Sequence, residues 1–273
     1  MIDYQGTGVI FLAAGKSTRF METSNVPKAL YPVAQMTWLE YSMRSFDSLD
    51  QVIITGAFHD LFTQTLPQLK DKLILNEDYE FGVFSSVLTG LHFFTDKKQV
   101  LIMPVDNGIV DKNTIEILLG QDDTYDIIVP LYEGQGGHPV LLRKNFIEQL
   151  LKMDKQTGRL DFAIRDYQQD KVLRPECFDK NICVNLNTEN QLLTYMDVLN
   201  ATNLRIDHIG NQAGALSLIE IGLGSFLHGL KIPFSGQFLS LNQGFFLTRT
   251  ATPVSYTHLR AHETVLSRMP SSA

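Results

Sequence analysis

The sequence predicts an α/β fold: a mostly parallel sheet with helices on both faces, in three layers. Three observations lead there. An apolar run, Val9-Ile10-Phe11-Leu12, reads as a short buried strand and ends in the small residues Ala13-Ala14-Gly15. Further short apolar runs, Val52-Ile53-Ile54, Leu73-Ile74-Leu75 and Val100-Leu101-Ile102-Met103, alternate with segments of helical spacing. That alternation argues for a parallel sheet covered on both sides. The chain has 273 residues, 44% of them hydrophobic, enough for one large α/β domain with or without an extension.

The first strand is followed by Gly15-Lys16-Ser17-Thr18-Arg19. A strand, a turn of small residues and a helix start make an anion site, because free N–H groups and the helix dipole both favour negative charge. Lys16 and Arg19 beside that turn suit a polyphosphate, and the simplest ligand is a nucleoside triphosphate. Gly15-Lys16-Ser17 also matches the end of a Walker A loop, G-x-x-x-x-G-K-[ST]. That pattern needs glycine where Ile10 stands, and Gly8 is two residues too early.

Pro27 biases Val26 to extended backbone and sets the approach of Lys28, whose ammonium can stabilise charge on a transferring phosphoryl group. Trp38, Leu39, Tyr41, Met43 and Phe46 fill the inner face of a helix over 39–46. A strand from Gln51 to Gly56 follows, then a surface helix from Leu61 to Leu69 and a strand at Leu73–Leu75. In Asn76 to Leu91, Gly82 allows an unusual backbone angle, and Ser85 or Ser86 can cap the helix carrying Val87, Leu88 and Leu91.

The strand over Val100–Met103 leads to Pro104-Val105-Asp106-Asn107-Gly108. A carboxylate at a strand's carboxyl end, facing a triphosphate, is how Mg²⁺ is held with few protein ligands, and Asp106 is that candidate. Asp111, Asp122, Asp123 and Asp126 lack this context. A strand is expected over Asp126–Leu131, then a flexible glycine loop, then a strand resuming at Gly137-His138-Pro139-Val140. His138 can hydrogen-bond a phosphate, carry a proton, or be structural. An amphipathic helix is expected over Phe146–Met153 and another starting at Gly158, where Arg159 either faces an anionic acceptor or is solvated. Val172–Arg174 and Ile182–Val184 read as edge or closing strands, and a helix over Gln191–Leu199 ends the domain.

A net charge of −7 argues against a nucleic-acid surface. The two cysteines, Cys177 and Cys183, fit neither a disulfide framework nor a zinc site and read as buried thiols of a reducing compartment. No basic, apolar leader is evident at the N-terminus, so a cytoplasmic location is expected.

Residues 201–252 are expected to be an apolar helical extension of the 1–200 domain. The stretch 213–247 is a membrane candidate, although Glu220, His228 and Pro233 interrupt it. On that reading the chain is the nucleotide-binding regulatory head of a membrane protein. From Val254 onward the sequence reads as one frame of a transposon-type sequencing adapter. Residues 253–273 are therefore expected to be an artefact of gene assembly.

Leu12-Ala13-Ala14-Gly15-Lys16-Ser17-Thr18-Arg19 resembles the L-A-A-G-x-S-x-R loop of the MobA-like nucleotidyltransferases. Pro27-Lys28-Ala29-Leu30, Pro104-Val105-Asp106, Gly137-His138-Pro139-Val140 and Asn185-Leu186-Asn187-Thr188 follow in the family's order, so the resemblance spans about Val9 to Leu199. The last departs from the family's [DN]-x-[DN]-T-P-E-D at Glu189 and Asn190. The resemblance implies a Rossmann-like fold and Mg²⁺-dependent transfer of a nucleotidyl group from an NTP to a phosphorylated acceptor, releasing pyrophosphate. It implies nucleotide contacts at Leu12, Ala13, Ala14, Gly15, Lys16, Ser17, Asn76, Gly82, Ser85 and Ser86. Catalytic roles fall to Arg19, Lys28 and Asp106. Asp106 with Asn185 or Asn187 would hold the metal, and Gly137, His138 and Arg159 the acceptor. Ala14, where guanylyl-transferring members often carry glycine, points to CTP over GTP. The G-H-P-V-L-L stretch looks like the molybdopterin-directed branch, whereas P-K-A-L-Y-P-V leans towards sugar-phosphate enzymes.

Overall fold

The computed structural model describes residues 2–202. The chain divides into two units, Met1–Leu193 and Thr194–Ala273, and the first carries the fold that follows. The membrane candidate and the adapter-like tail lie outside the described residues. Among the described residues no helix is long and apolar enough to cross a membrane.

Strand β1 (Thr7–Ala13) is buried along almost its whole length. A 3-10 turn at Lys28–Leu30 and a small hairpin, β2 (Pro32–Val33) with β3 (Met36–Thr37), lead to α1 (Trp38–Met43). Thr37 starts α1 through a capping box: its hydroxyl accepts from the Glu40 N–H, and the Glu40 carboxylate accepts from the Thr37 N–H. The expected helix to Phe46 tightens to a 3-10 turn over Arg44–Phe46.

Strand β4 (Asp50–Thr55) leads to α2 (His59–Thr65). The expected surface helix to Leu69 stops early, because Pro67 cannot continue the helical hydrogen bonds, and a 3-10 turn takes over at Pro67–Lys72. Nor does it lie wholly on the surface: Phe62 and Leu66 are fully buried. After β5 (Leu73–Leu75) comes α3 (Val83–Phe93), whose N-cap is Gly82 at φ 106°. Ser85 and Ser86 therefore sit inside its first turn rather than capping it.

Next come β6 (Gln99–Pro104) and α4 (Lys112–Leu119), which is capped by Asp111. The strand expected over Asp126–Leu131 is broken into β7 (Ile127–Ile128) and β8 (Leu131–Tyr132). Pro130 has no N–H for a sheet ladder. The glycine stretch, expected as a loop, carries β9 (Gln135–Gly136) paired with β8. Glu133 (φ 51°) and Gly134 (φ 77°) make the two-residue turn of that hairpin, the left-handed pair a tight β-turn requires.

Strand β10 (Val140–Arg143) is followed by α5 (Lys144–Leu150), which is shorter than expected, and by α6 (Leu160–Asp166) and β11 (Val172–Leu173). Where Ile182–Val184 was expected to close the sheet, the chain makes a 3-10 turn at Lys180–Cys183. The Asp179 carboxylate sets that turn by accepting from Asn181 N and anchors it by accepting from Asp111 N. The described chain is helical from residue 189.

The central sheet runs β11-β7-β10-β6-β1-β4-β5. Strand β1 pairs in parallel with β4 and with β6, while β10 is antiparallel to its neighbours β6 and β7. Side chains alternate between two cores. Val9 and Phe11 pack with Leu39, Met43 and Phe46 on one face; Ile10 packs with Val87, Leu88 and Leu91 on the other. Helix α3 comes so close that a Cβ at Gly90 would lie 2.6 Å from the Ile10 side chain. From β1 the chain adds β4 and β5 on one side, then returns to place β6 on the other. That reversal opens a crevice at the carboxyl ends of β1 and β6, where sheets of this kind bind ligands.

Candidate active site

A cavity of about 690 Å³ occupies the crevice. Its walls come from the loop after β1, from Pro27–Ala29, from Tyr79 to Ser86, from Pro104–Asn107, from the β8–β9 hairpin and from Ile182 to Asn187.

The loop after β1 is not the expected helix start. Its only regular bonds run from Met21 N to Ser17 O (2.9 Å) and from Ser24 N to Phe20 O (3.2 Å), so it is a coiled turn without a helix dipole. Ser17 takes a left-handed φ of 48°. At Gly15 an added Cβ would meet no protein atom within 4 Å, so protein packing does not demand glycine there.

Lys28 is buried at the cavity wall, and its Nζ lies 3.9 Å from Asp106 Oδ2. Burial lowers its pKa; the Asp106 charge opposes that shift and the Arg19 charge adds to it. Asp106 is held through its backbone. Leu186 N donates to its carbonyl (2.7 Å), and the Trp38 indole donates to the neighbouring Val105 carbonyl (2.8 Å). Asn107 is buried, donates to the Ile182 and Val184 carbonyls and bridges to Asn185. These bonds bring the Asn185–Asn187 segment against the end of β6. Arg19 crosses to the same segment, donating to Asn187 Oδ1 at 3.0 Å.

The other predicted residues divide. Leu12, Ala13, Ala14, Gly15, Ser17, Gly82, Ser86 and His138 line the cavity. Asn76 and Ser85 stand behind the wall: the Asn76 amide donates to both serine hydroxyls and its carbonyl accepts from Asp78 N. Lys16 is not on the wall. It is paired with Glu80 at 2.9 Å and lies 5.9 Å from the centre of the Tyr79 ring. Gly137 is also off the wall, where a Cβ would strike the Ile182 carbonyl at 2.6 Å. Arg159 is absent from the wall too, paired with Asp161 at 2.7 Å and stacked on Phe162. Burial lowers the pKa of His138 and the Asp106 charge opposes it.

Cys177 is buried, but Cys183 is part exposed and lines the cavity, contrary to the expectation of two buried thiols. Burial raises both thiol pKa values, which keeps them protonated and unsuited to nucleophilic attack. Tyr79, Val83, Asn107 and Gln135 line the wall without having been singled out. Tyr79 and Val83 fall inside the Asn76–Leu91 segment, and Asn107 directly follows Asp106. Gln135 carried no signal, because nothing in its own stretch announced the hairpin.

Among the described residues no three His, Cys, Asp or Glu side chains cluster as a metal centre. One carboxylate, Asp106, flanked by amide side chains, fits a hard cation that keeps water and shares phosphate oxygens, and does not fit a closed protein cage.

No curated protein sequence matches the chain at a significant level. Solved structures do match its fold. Rv0371c from Mycobacterium tuberculosis H37Rv shares 19% identity at a TM-score of 0.57, over 71% of this chain and 98% of that one. Rv0371c is also known in complex with manganese. A nucleotidyl transferase from Methanothermobacter shares 17% identity at a TM-score of 0.61, over 72% and 98% of the two chains. Molybdopterin-guanine dinucleotide biosynthesis protein A from Archaeoglobus fulgidus shares 15% identity at a TM-score of 0.54, over 71% and 99%. The family model of the MobA-like NTP transferase domain matches residues 9–172, which contain β1 from Val9 onward, Lys28, Asp106 and His138. Sheet, crevice and family match agree, and the chain belongs to the MobA-like NTP transferase family as a nucleotidyltransferase.

Proposed function

We propose that this nucleotidyltransferase moves CMP from CTP to a phosphorylated small molecule of the molybdopterin class and releases pyrophosphate. The observation that carries the reading is the Lys28–Asp106 pair, 3.9 Å apart in one cavity with Arg19, at the carboxyl ends of the two central strands. The triphosphate lies along the loop after β1. Gly15 leaves room there that no protein atom uses. The base lies towards Gly82 and Ser86. An oxygen of the acceptor phosphate attacks the α-phosphorus in line. A new P–O bond forms, and the bond from the α-phosphorus to the bridging oxygen of the β-phosphate breaks. The leaving group is pyrophosphate, with its charge held by Arg19.

Lys28 stabilises the charge on the α-phosphoryl group; its burial strengthens that interaction because little water screens it. Positioning and charge do most of the work in such transfers. Asp106, with Asn185, would hold a divalent cation, Mg²⁺ by preference. The manganese complex of Rv0371c agrees with a divalent ion in this fold. That cation supplies charge neutralisation between donor and acceptor phosphates. His138 faces the cavity beside Asp106 as a neutral hydrogen-bonding group for the acceptor.

CTP is preferred over GTP on the strength of Ala14, and molybdopterin over sugar phosphates on Gly137-His138-Pro139-Val140. The reading is tested by incubating the full chain with MgCl₂, each of the four NTPs, and molybdopterin or a panel of sugar 1-phosphates. A cytidylylated molybdopterin and pyrophosphate are expected. Product only with a sugar phosphate would overturn the acceptor, and product only with GTP would overturn the base.

A further inference from the structure

We propose that Asn187 is a positioning residue for Arg19 and not a cation ligand. The proposal rests on the triphosphate reading of this cavity. Asn187 Oδ1 accepts from Arg19 Nη2 at 3.0 Å, across 168 residues of chain. A guanidinium has only donors, so the amide must turn its oxygen to Arg19. One lone pair of that oxygen is thereby committed to Arg19.

The backbone beneath Asn187 is pinned on both sides. Leu186 N donates to the Asp106 carbonyl, and the N–H groups of Asn187 and Thr188 both donate to Gln191 Oε1, at 2.8 and 3.1 Å. A second tie runs alongside: Tyr31, whose pKa is raised, is hydrogen-bonded to the Glu189 carboxylate. The segment that meets Asp106 therefore also aims Arg19.

The amide matters because of what surrounds it. Lys28 is paired with Asp106, and Lys16 with Glu80. Among the described residues no carboxylate is in ion-pair contact with Arg19. An Asn oxygen holds the guanidinium without cancelling its charge, which stays available to phosphates. An Asp at the same place would hold it equally well and neutralise it.

The test measures binding of CTP and of CMP to the full chain in MgCl₂ by calorimetry, for wild type, Asn187→Asp, Asn187→Ala, Arg19→Gln and the double variant Arg19→Gln with Asn187→Asp. Asn187→Asp is expected to weaken CTP about tenfold and leave CMP within twofold, since only the β- and γ-phosphates meet Arg19. The Mg²⁺ concentration at half-saturation should not move. In the Arg19→Gln background Asn187→Asp should add less than twofold. Asn187→Ala should weaken CTP severalfold by the same pattern, and it decides the matter should the aspartate variant fail to fold. Tighter CTP binding at lower Mg²⁺ in Asn187→Asp would make Asn187 a cation ligand and overturn the proposal. Equal losses for CTP and CMP would make its role merely structural and overturn it too. Wild-type protein that binds no nucleoside triphosphate would instead overturn the underlying reading, and the proposal with it.

Discussion

The Lys28 ammonium stands 3.9 Å from the Asp106 carboxylate, one buried and the other part exposed, at the mouth of adjacent parallel strands. The lysine is reached by a loop from β1 and the aspartate lies two residues past β6, so the topological reversal of the sheet is what brings them together. Both line the cavity, and the buried Lys28 cation is met there by the Asp106 carboxylate. Removing either should therefore injure turnover more than folding. Lys28→Ala and Asp106→Asn are each expected to lower turnover at least about 100-fold. Far-UV circular dichroism and the melting transition should keep their wild-type form. Near-normal turnover in either variant would remove that residue from the chemistry.

Two glycines should separate ligand space from packing. Gly15→Ala places its methyl in a region with no protein atom within 4 Å, so stability should hold while CTP binding weakens. Gly90→Ala drives a methyl to 2.6 Å from Ile10 and should destabilise the fold by about 1–3 kcal/mol. Urea unfolding and nucleotide titration of both variants check the pair. Unchanged nucleotide affinity in Gly15→Ala would argue against the loop as the triphosphate seat.

Trp38 is the chain's single tryptophan, fully buried, and its indole donates to Val105 at 2.8 Å, one residue before Asp106. Its fluorescence should report on the site: emission is expected at short wavelength and should change on adding MgCl₂ with CTP. Trp38→Phe loses that hydrogen bond, worth about 1 kcal/mol, and some packing. It should also lower turnover by loosening the end of β6.

Burial holds the His138 pKa below the ordinary histidine value, with Asp106 opposing. The fold therefore disfavours the protonated ring, while the unfolded chain takes up a proton at about pH 6.5. The contribution of His138 to stability is present above that value and is lost as pH falls through the lowered folded pKa. Melting temperatures of wild type and His138→Gln from about pH 7.5 to pH 5 should diverge, with wild type losing more. Parallel curves would contradict the assignment of a half-buried neutral imidazole.

The central strands were legible because their signal is local. Val9–Leu12, Val52–Ile54 and Val100–Met103 are apolar runs of strand length, and Gly15 and Asp106 stand three residues past the first and the last of them. What was not legible depends on contacts distant in sequence. Ile182–Val184 has the β-branched composition of a strand, but Asp179 anchors it as a 3-10 turn by accepting from Asp111, 68 residues earlier. The β8–β9 hairpin was hidden by a glycine-rich composition that reads equally well as loop. Lys16 is expected at the phosphates from its neighbours in sequence, and its ion pair with Glu80, 64 residues away, is not legible there. Asn187 is expected at the metal from its motif, and its bond to Arg19, 168 residues away, is not legible from its neighbours.

Attack at the α-phosphorus of a nucleoside triphosphate is the step on which the proposed roles of Lys28, Asp106 and Arg19 depend. It is tested most directly with the full chain, MgCl₂, the acceptor and CTP carrying labels on both the α- and γ-phosphates. The γ-label is expected in pyrophosphate and the α-label in a nucleotidylated acceptor, with one equivalent of each per turnover. A γ-label released as orthophosphate, with the α-label left in CDP, would contradict it.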